Sequence, residues 1–127
     1  MIFGTFDIVH PGHLNLFRQA RTWGDKLLIV VARDSNVLKF KGKKPRHTEQ
    51  ERLTHLQKIT LAQVILGEEK DIYHVVEVHK PDILCFGYDQ RANLEDVGNE
   101  LMRRGISAKL IRLSPYKPKQ YKSGKLA

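Results

Sequence analysis

Gly4-Thr5-Phe6-Asp7-Ile8-Val9-His10-Pro11-Gly12-His13 decides how this chain is read. Just before it, Met1-Ile2-Phe3-Gly4 is a short apolar run that reads as a strand. Just after it, residues 11–23 carry Leu14, Leu16, Phe17 and Ala20 at helical spacing, and Gly24 is placed to end a helix. Two histidines three apart therefore open a helix that follows a strand. Pro11 suits a first helical turn, where its missing N–H costs nothing. Gly12 carries no side chain, so an anion could approach the backbone closely. The unpaired N–H groups and the dipole of a helix start favour negative charge. Imidazoles add donors that can follow charge as it develops.

The same alternation continues along the chain. Residues 26–32 (KLLIVVA) form a nearly continuous apolar run, as a strand covered on both faces requires. Residues 34–47 read as a basic loop containing Gly42 and Pro45. Thr48 followed by Glu51 has capping-box spacing, so a helix to about residue 59 is expected. Residues 63–66 read as a strand ended by Gly67, 71–79 as a helix stopped before Pro81, and 82–86 (DILCF) as a strand ended by Gly87. Residues 92–104 read as a helix stopped by Gly105, and 108–113 as a last strand. Strand then helix, about five times over, predicts an α/β fold: a Rossmann-like open parallel sheet with helices on both faces. Such sheets bind ligands at the carboxyl ends of the strands, beside the point where strand order reverses. Gly4-Thr5-Phe6-Asp7, Arg33-Asp34, Gly87-Tyr88-Asp89-Gln90 and Ser114-Pro115-Tyr116 fall at those ends.

The bulk composition narrows the classes. A chain of 127 residues fits one domain spanning 1–127, with 116–127 a basic, poorly periodic tail expected to be partly mobile. Hydrophobic residues at 41% argue against disorder. One cysteine, Cys85, excludes an internal disulfide framework and suits a reducing, cytoplasmic compartment. No apolar run has the length of a membrane span. The net charge of +8 asks for an anionic partner, either nucleic acid or a polyphosphate or phosphorylated metabolite. Much of the excess lies in Lys39, Lys41, Lys43, Lys44 and Arg46, and in Lys117, Lys119, Lys122 and Lys125. Runs of this kind are most often solvated, and the aromatic residues do not interleave with them as a nucleic-acid stacking platform would. The nucleic-acid-binding module is therefore the weaker reading, as is a silent nucleotide sensor.

Nucleotidyl transfer fits the helix start. An acceptor phosphate attacks the α-phosphorus of a nucleoside triphosphate and pyrophosphate leaves. Positioning and charge stabilisation carry such a reaction, and Mg²⁺ would neutralise the polyphosphate. The histidine pair also has two plainer readings, as a helix-capping pair or as two metal ligands. A zinc site would need further ligands that nothing nearby supplies, so no protein metal ligands are assigned. The dinucleotide and P-loop glycine motifs are absent.

The ten-residue segment resembles the signature of the cytidylyltransferase-like nucleotidyltransferases, and the resemblance covers nearly the whole chain. The middle is most similar to the archaeal-type FAD synthase subgroup through residues 30–34, 41–45, 49–52, 65–67, 80–83 and 87–90. The resemblance implies AMP transfer from ATP to FMN. The alternative is CTP with a small phosphorylated alcohol such as glycerol 3-phosphate or ethanolamine phosphate. It implies that Thr5, Phe6, His10, Pro11, Gly12 and His13 hold the nucleotide and its phosphates. Asp89 would contact the ribose and Tyr116 the nucleotide. Lys41, Lys43 or Lys44 would reach acceptor or triphosphate oxygens, with Lys41 placed in the catalytic set. A segment of the glycerol-phosphate enzymes near the end has only a degenerate counterpart in residues 121–125, where Ser123 and Lys125 match best. The abbreviated first strand and final helix suggest a natural chain longer than residues 1–127. Such small enzymes often form homodimers.

Other residues are expected to be bland. Cys85 reads as a small core residue, Trp23 as packing, and His55, His74 and His79 as surface or satisfied histidines without a partner constellation. Asp7 reads as a turn residue shaping the signature, and His47 as a residue that could meet a phosphate. Arg52 is expected to point at phosphates or to face water.

Overall fold

The computed structural model describes residues 1–87, 90 and 92–115. Five strands, β1 (Ile2–Gly4), β2 (Leu28–Val31), β3 (Gln63–Leu66), β4 (Ile83–Phe86) and β5 (Lys109–Arg112), form one parallel sheet in the order β3-β2-β1-β4-β5. Helices α1 (Pro11–Arg21), α2 (Asp34–Lys41), α3 (Glu49–Ile59), α4 (His74–His79) and α5 (Leu94–Arg103) make the connections. The chain winds outward from β1 through β2 to β3, then returns to the other side of β1 for β4 and β5. Right-handed crossovers put connections that run in opposite directions on opposite faces. The core divides accordingly. Ile2, Ile29, Val31, Val64 and Cys85 pack with Phe17 and Ala20 of α1 and Leu56 of α3. Val30, Leu84 and Phe86 pack with Val75 and Val76 of α4 and Leu101 of α5. Alternate residues of β2 serve the two faces, which explains its unbroken apolar run. Strand order reverses between β1 and β4, beside the signature segment.

The expected open parallel sheet is the observed one, and the capping box of α3 forms: Thr48 Oγ1 accepts from Glu51 N–H, and the Glu51 carboxylate accepts from Thr48 N–H. One expectation fails. Residues 34–41 of the supposed basic loop are helix α2. Asp34 opens it, where the dipole favours an acid, and Gly42 closes it in the left-handed region at φ 78°, donating its N–H to Leu38 O. The lysines obscured a start and a stop that were both in the sequence. Lys41 is consequently the last residue of a helix. Helix α4 is also shorter than 71–79, because Asp71 Oδ1 accepts from Tyr73 N–H and makes a turn of the first residues. Asn93 caps α5 by accepting from Glu95 and Asp96 N–H, so the helix starts at Leu94, two residues later than expected.

Gly4 ends β1 under an aromatic ring. A Cβ there would lie 2.5–2.9 Å from three atoms of the buried Phe6 ring. Gly4→Ala should lower the unfolding free energy by about 1–3 kcal/mol, the usual penalty for overpacking. At Gly98, within α5, an added Cβ meets only Leu110 Cδ1 at 3.7 Å. Gly98→Ala should stabilise by up to about 1 kcal/mol through helix propensity. Urea midpoints of the two variants against the parent check both signs.

Candidate functional site

The start of α1 is a capping box built from two imidazoles. His10 takes the N-cap position with extended backbone, and its Nδ1 accepts from Gly12 N–H at 3.0 Å. His13, at N3, accepts from His10 N–H through its own Nδ1 at 3.2 Å. Ser or Thr and Glu usually do this work. The ring centroids lie 4.0 Å apart and tilted by 33°. The two histidines do share one face, and the capping reading is correct as well. The two readings are compatible because capping uses only Nδ1. A neutral imidazole that accepts through Nδ1 carries its proton on Nε2. The expectation of unpaired amides is revised: Gly12 N–H goes to the His10 ring, and His13 and Leu14 N–H go to His10 O. The backbone N–H groups of Gly12, His13 and Leu14 are thus taken up by His10.

Gly12 has a second reason to lack a side chain. A Cβ would come within 2.7 Å of His10 Cε1, so alanine would push the capping ring aside. Phe6 has φ 54° and is buried. Its ring stands edge-on to His13 at 5.7 Å and to Phe17 at 5.3 Å between centroids. The Phe6 side chain therefore belongs to the core and buttresses His13, leaving its backbone for any ligand contact.

Next to this helix start lies a network that the sequence did not reveal. Arg52, 1% exposed, neither faces water nor points at an open anion site. Its guanidinium donates to Thr5 O at 2.7 Å, His47 O at 3.1 Å and Asp34 Oδ1 at 2.6 Å. Asp34 and Glu49 cap each other's helices: Glu49 accepts from Asp34 N–H at 2.8 Å and Asp34 from Glu49 N–H at 3.2 Å. Arg33 joins by donating to Glu49 and to Gly67 O. Asp7 lies in a bend, and its carboxylate reaches a remote segment. Its carboxylate accepts from Arg46 N–H at 2.6 Å and His47 N–H at 2.9 Å, and lies 3.1 Å from His47 Nδ1. Desolvation alone would raise this carboxyl, but the backbone N–H groups of Arg46 and His47 and the His47 ring together hold it below its ordinary value.

Lys44 lines a cavity of about 270 Å³ with Asp34, Pro45, Arg46, His47 and Thr48, so it lies beside the segment that Asp7 holds. Lys41, Lys43 and Lys44 are all exposed, and the residues lining that cavity include none of the signature. On the far side of β1, Gln90 donates to Phe3 O at 2.8 Å and accepts from Gly87 N–H at 2.7 Å. Asp89, Tyr116, Ser123 and Lys125, and with them the tail from 116, lie outside the described residues. Cys85 is 2% exposed, and burial pushes its thiol up, as fits a core residue. Trp23 is partly exposed beneath the Lys109 ammonium. His74 does have a partner, Glu68 at 3.6 Å.

The network gives the acid response a sign. The Asp7 and Glu51 carboxyls are held low, that of Glu51 by Thr48 N–H and hydroxyl. A folded-state value below the unfolded one contributes stability that is present well above the unfolded carboxyl values of about 4 and lost as pH falls through the depressed value. Asp7→Asn should therefore destabilise at pH 7, by an amount that shrinks as pH falls through the depressed value of the Asp7 carboxyl. Urea midpoints across that range test this, and a constant gap between the two proteins would contradict it.

Comparison with known proteins agrees with the geometry. The family model described as cytidylyltransferase-like matches residues 1–124. An FAD synthase of Methanosarcina barkeri is 42% identical over 111 residues, 87% of this chain and 78% of the relative. The FAD synthase of Aciduliprofundum boonei is 40% identical over 116 residues, 91% of this chain and 78% of the relative. A crystal structure of a lipopolysaccharide core biosynthesis protein from Thermoplasma volcanium superposes with a TM-score of 0.87 at 36% identity, over 92% of this chain and 96% of that one. With its signature folded into an imidazole-capped helix start at the strand-order reversal, the chain belongs to the cytidylyltransferase-like family.

Proposed function

We propose that this protein is an FAD synthase, which transfers the AMP of ATP to FMN and releases pyrophosphate. The observation that carries the reading is the start of α1, where two imidazoles are anchored side by side through Nδ1 to the backbone. Relatives carrying that activity at 36–43% identity support the choice of substrates. A phosphate oxygen of FMN attacks the α-phosphorus of ATP. The new P–O bond forms as the bond to the bridging α–β oxygen breaks, and pyrophosphate departs with that electron pair. His10 and His13 donate to phosphate oxygens as negative charge builds. One such donor is worth about 3–4 kcal/mol in comparable sites.

The remaining assignments belong to the same reading. Thr5, Phe6, Pro11 and Gly12 form the nucleotide's floor through their backbone, and Asp89 and Tyr116 contact the nucleoside. Lys44, beside its cavity, takes the acceptor phosphate, with Lys41 and Lys43 near it; Ser123 and Lys125 reach the triphosphate. Mg²⁺ enters with ATP. Among the described residues no group of three or more His, Cys, Asp or Glu comes together to hold a metal. The buried, reduced Cys85 supports a cytoplasmic location. No helix among the described residues is long and apolar enough to cross a membrane. A homodimer is the proposed assembly, which sedimentation would check.

Two measurements test the reading. Side-by-side assays should give FAD from ATP and FMN. CDP-glycerol from CTP and glycerol 3-phosphate, with no FAD from the first pair, would overturn the substrate assignment. His13→Ala should lower kcat by about 10²–10³-fold, as loss of a single charge-stabilising donor does elsewhere, while the fold persists. Near-normal turnover would remove His13 from the chemistry.

A further inference from the structure

Phe6 holds a backbone conformation, φ 54°, that residues with a Cβ seldom adopt. Where such a residue persists, its surroundings hold it there. Two contacts do so here. The Phe6 ring is buried and stands edge-on to His13 and Phe17. The carbonyl before it, Thr5 O, accepts from Arg52 Nη1 at 2.7 Å. Arg52 is fixed in turn by His47 O at 3.1 Å and Asp34 Oδ1 at 2.6 Å. A buried cation therefore grips the oxygen side of the peptide between Thr5 and Phe6.

That grip decides where the other side of the peptide points. The bond is trans, so its N–H is directed opposite to its C=O. Thr5 O faces Arg52 and α3, which packs against β2 and β3. Phe6 N–H is thus turned the other way, toward β4 and the strand-order reversal. Among the described residues nothing accepts from it. A cation on the carbonyl also polarises the amide, which strengthens the N–H as a donor. Resting on the phosphate reading of α1, we propose that Arg52 is a positioning residue for nucleotide binding. Through Thr5 O it holds Phe6 N–H as a preset donor to an oxygen of the bound triphosphate, without touching the ligand itself. A lysine cannot replace it, because an ammonium is a point donor and Thr5 O, His47 O and Asp34 are reached by a planar fork.

Calorimetric titration with α,β-methylene ATP, which cannot be cleaved at the reacting bond, tests this without turnover. Arg52→Lys should weaken binding by about tenfold or more, as loss of a hydrogen bond to a charged group does. Leu56→Ala, one turn further along α3 and buried in the core, should lower stability yet bind as the parent does. That contrast separates positioning from general loosening. Spectra follow the peptide itself. Phe6 is the one phenylalanine that follows a threonine, so ¹³C-carbonyl threonine combined with ¹⁵N-phenylalanine isolates its amide. The amide proton should move downfield when the analogue saturates the parent, and much less in Arg52→Lys. Parental affinity in Arg52→Lys overturns the proposal. So does a Phe6 amide that stays put in the saturated parent, a result that decides the matter even if Arg52→Lys does not fold. Both leave the functional reading standing. A parent protein that binds neither this analogue nor its CTP counterpart overturns both readings.

Discussion

Everything at this site depends on two backbone-to-imidazole hydrogen bonds, Gly12 N–H to His10 Nδ1 and His10 N–H to His13 Nδ1. They settle three things together. They end the backbone's claim on the helix start, they fix both ring orientations, and they select the tautomer with hydrogen on Nε2. A helix N-terminus ordinarily attracts anions through its own amides. Here Gly12 N–H polarises a ring, and the ring offers the donor further out. Hydrogen bonds in series reinforce one another, so this arrangement extends the reach of the helix dipole without losing its sign. Gly12 makes it sterically possible, and the Phe6 ring supports His13 from the core.

A donor pair is useful only if the surrounding rim is rigid. Arg52 supplies that rigidity from a fully buried position, tying the loop after β1 to both helix starts that follow β2. A buried guanidinium is costly unless each of its nitrogens finds an acceptor and an opposite charge is near. Asp34 provides the charge, and two carbonyls complete the set. Asp7 works from the other direction, holding the segment that carries Lys44 against the signature. The rim therefore consists of carboxylates and arginines that neutralise one another.

The fold was legible because its signals were local and repeated. Apolar runs of strand length alternated with helical spacing, and Thr48 with Glu51, Pro81 and Gly105 marked boundaries that the structure keeps. Helix α2 was missed because its apolar positions sit among lysines, although Asp34 and Gly42 bracket it correctly. At the site, His10-Pro11-Gly12-His13 was legible by residue type, but the direction of its hydrogen bonds was not, since spacing cannot say which ring nitrogen faces the backbone. Arg52 was ambiguous for a similar reason. Its partners are carbonyls of Thr5 and His47, and backbone acceptors leave no trace in a sequence. The contacts of Gln90 with Phe3 O and Gly87 N–H were hidden in the same way.

The central claim concerns one proton on each of two rings, and it can be observed directly. Long-range ¹H–¹⁵N spectra of protein with ¹⁵N-labelled histidine, assigned with single His10 and His13 variants, report the tautomer of each imidazole before and after ATP is added. Both rings should show the Nε2–H form in the free protein, and both Nε2 resonances should move on saturation with ATP. An Nδ1–H form at either position, or resonances that stay put under saturating ATP, would contradict the account.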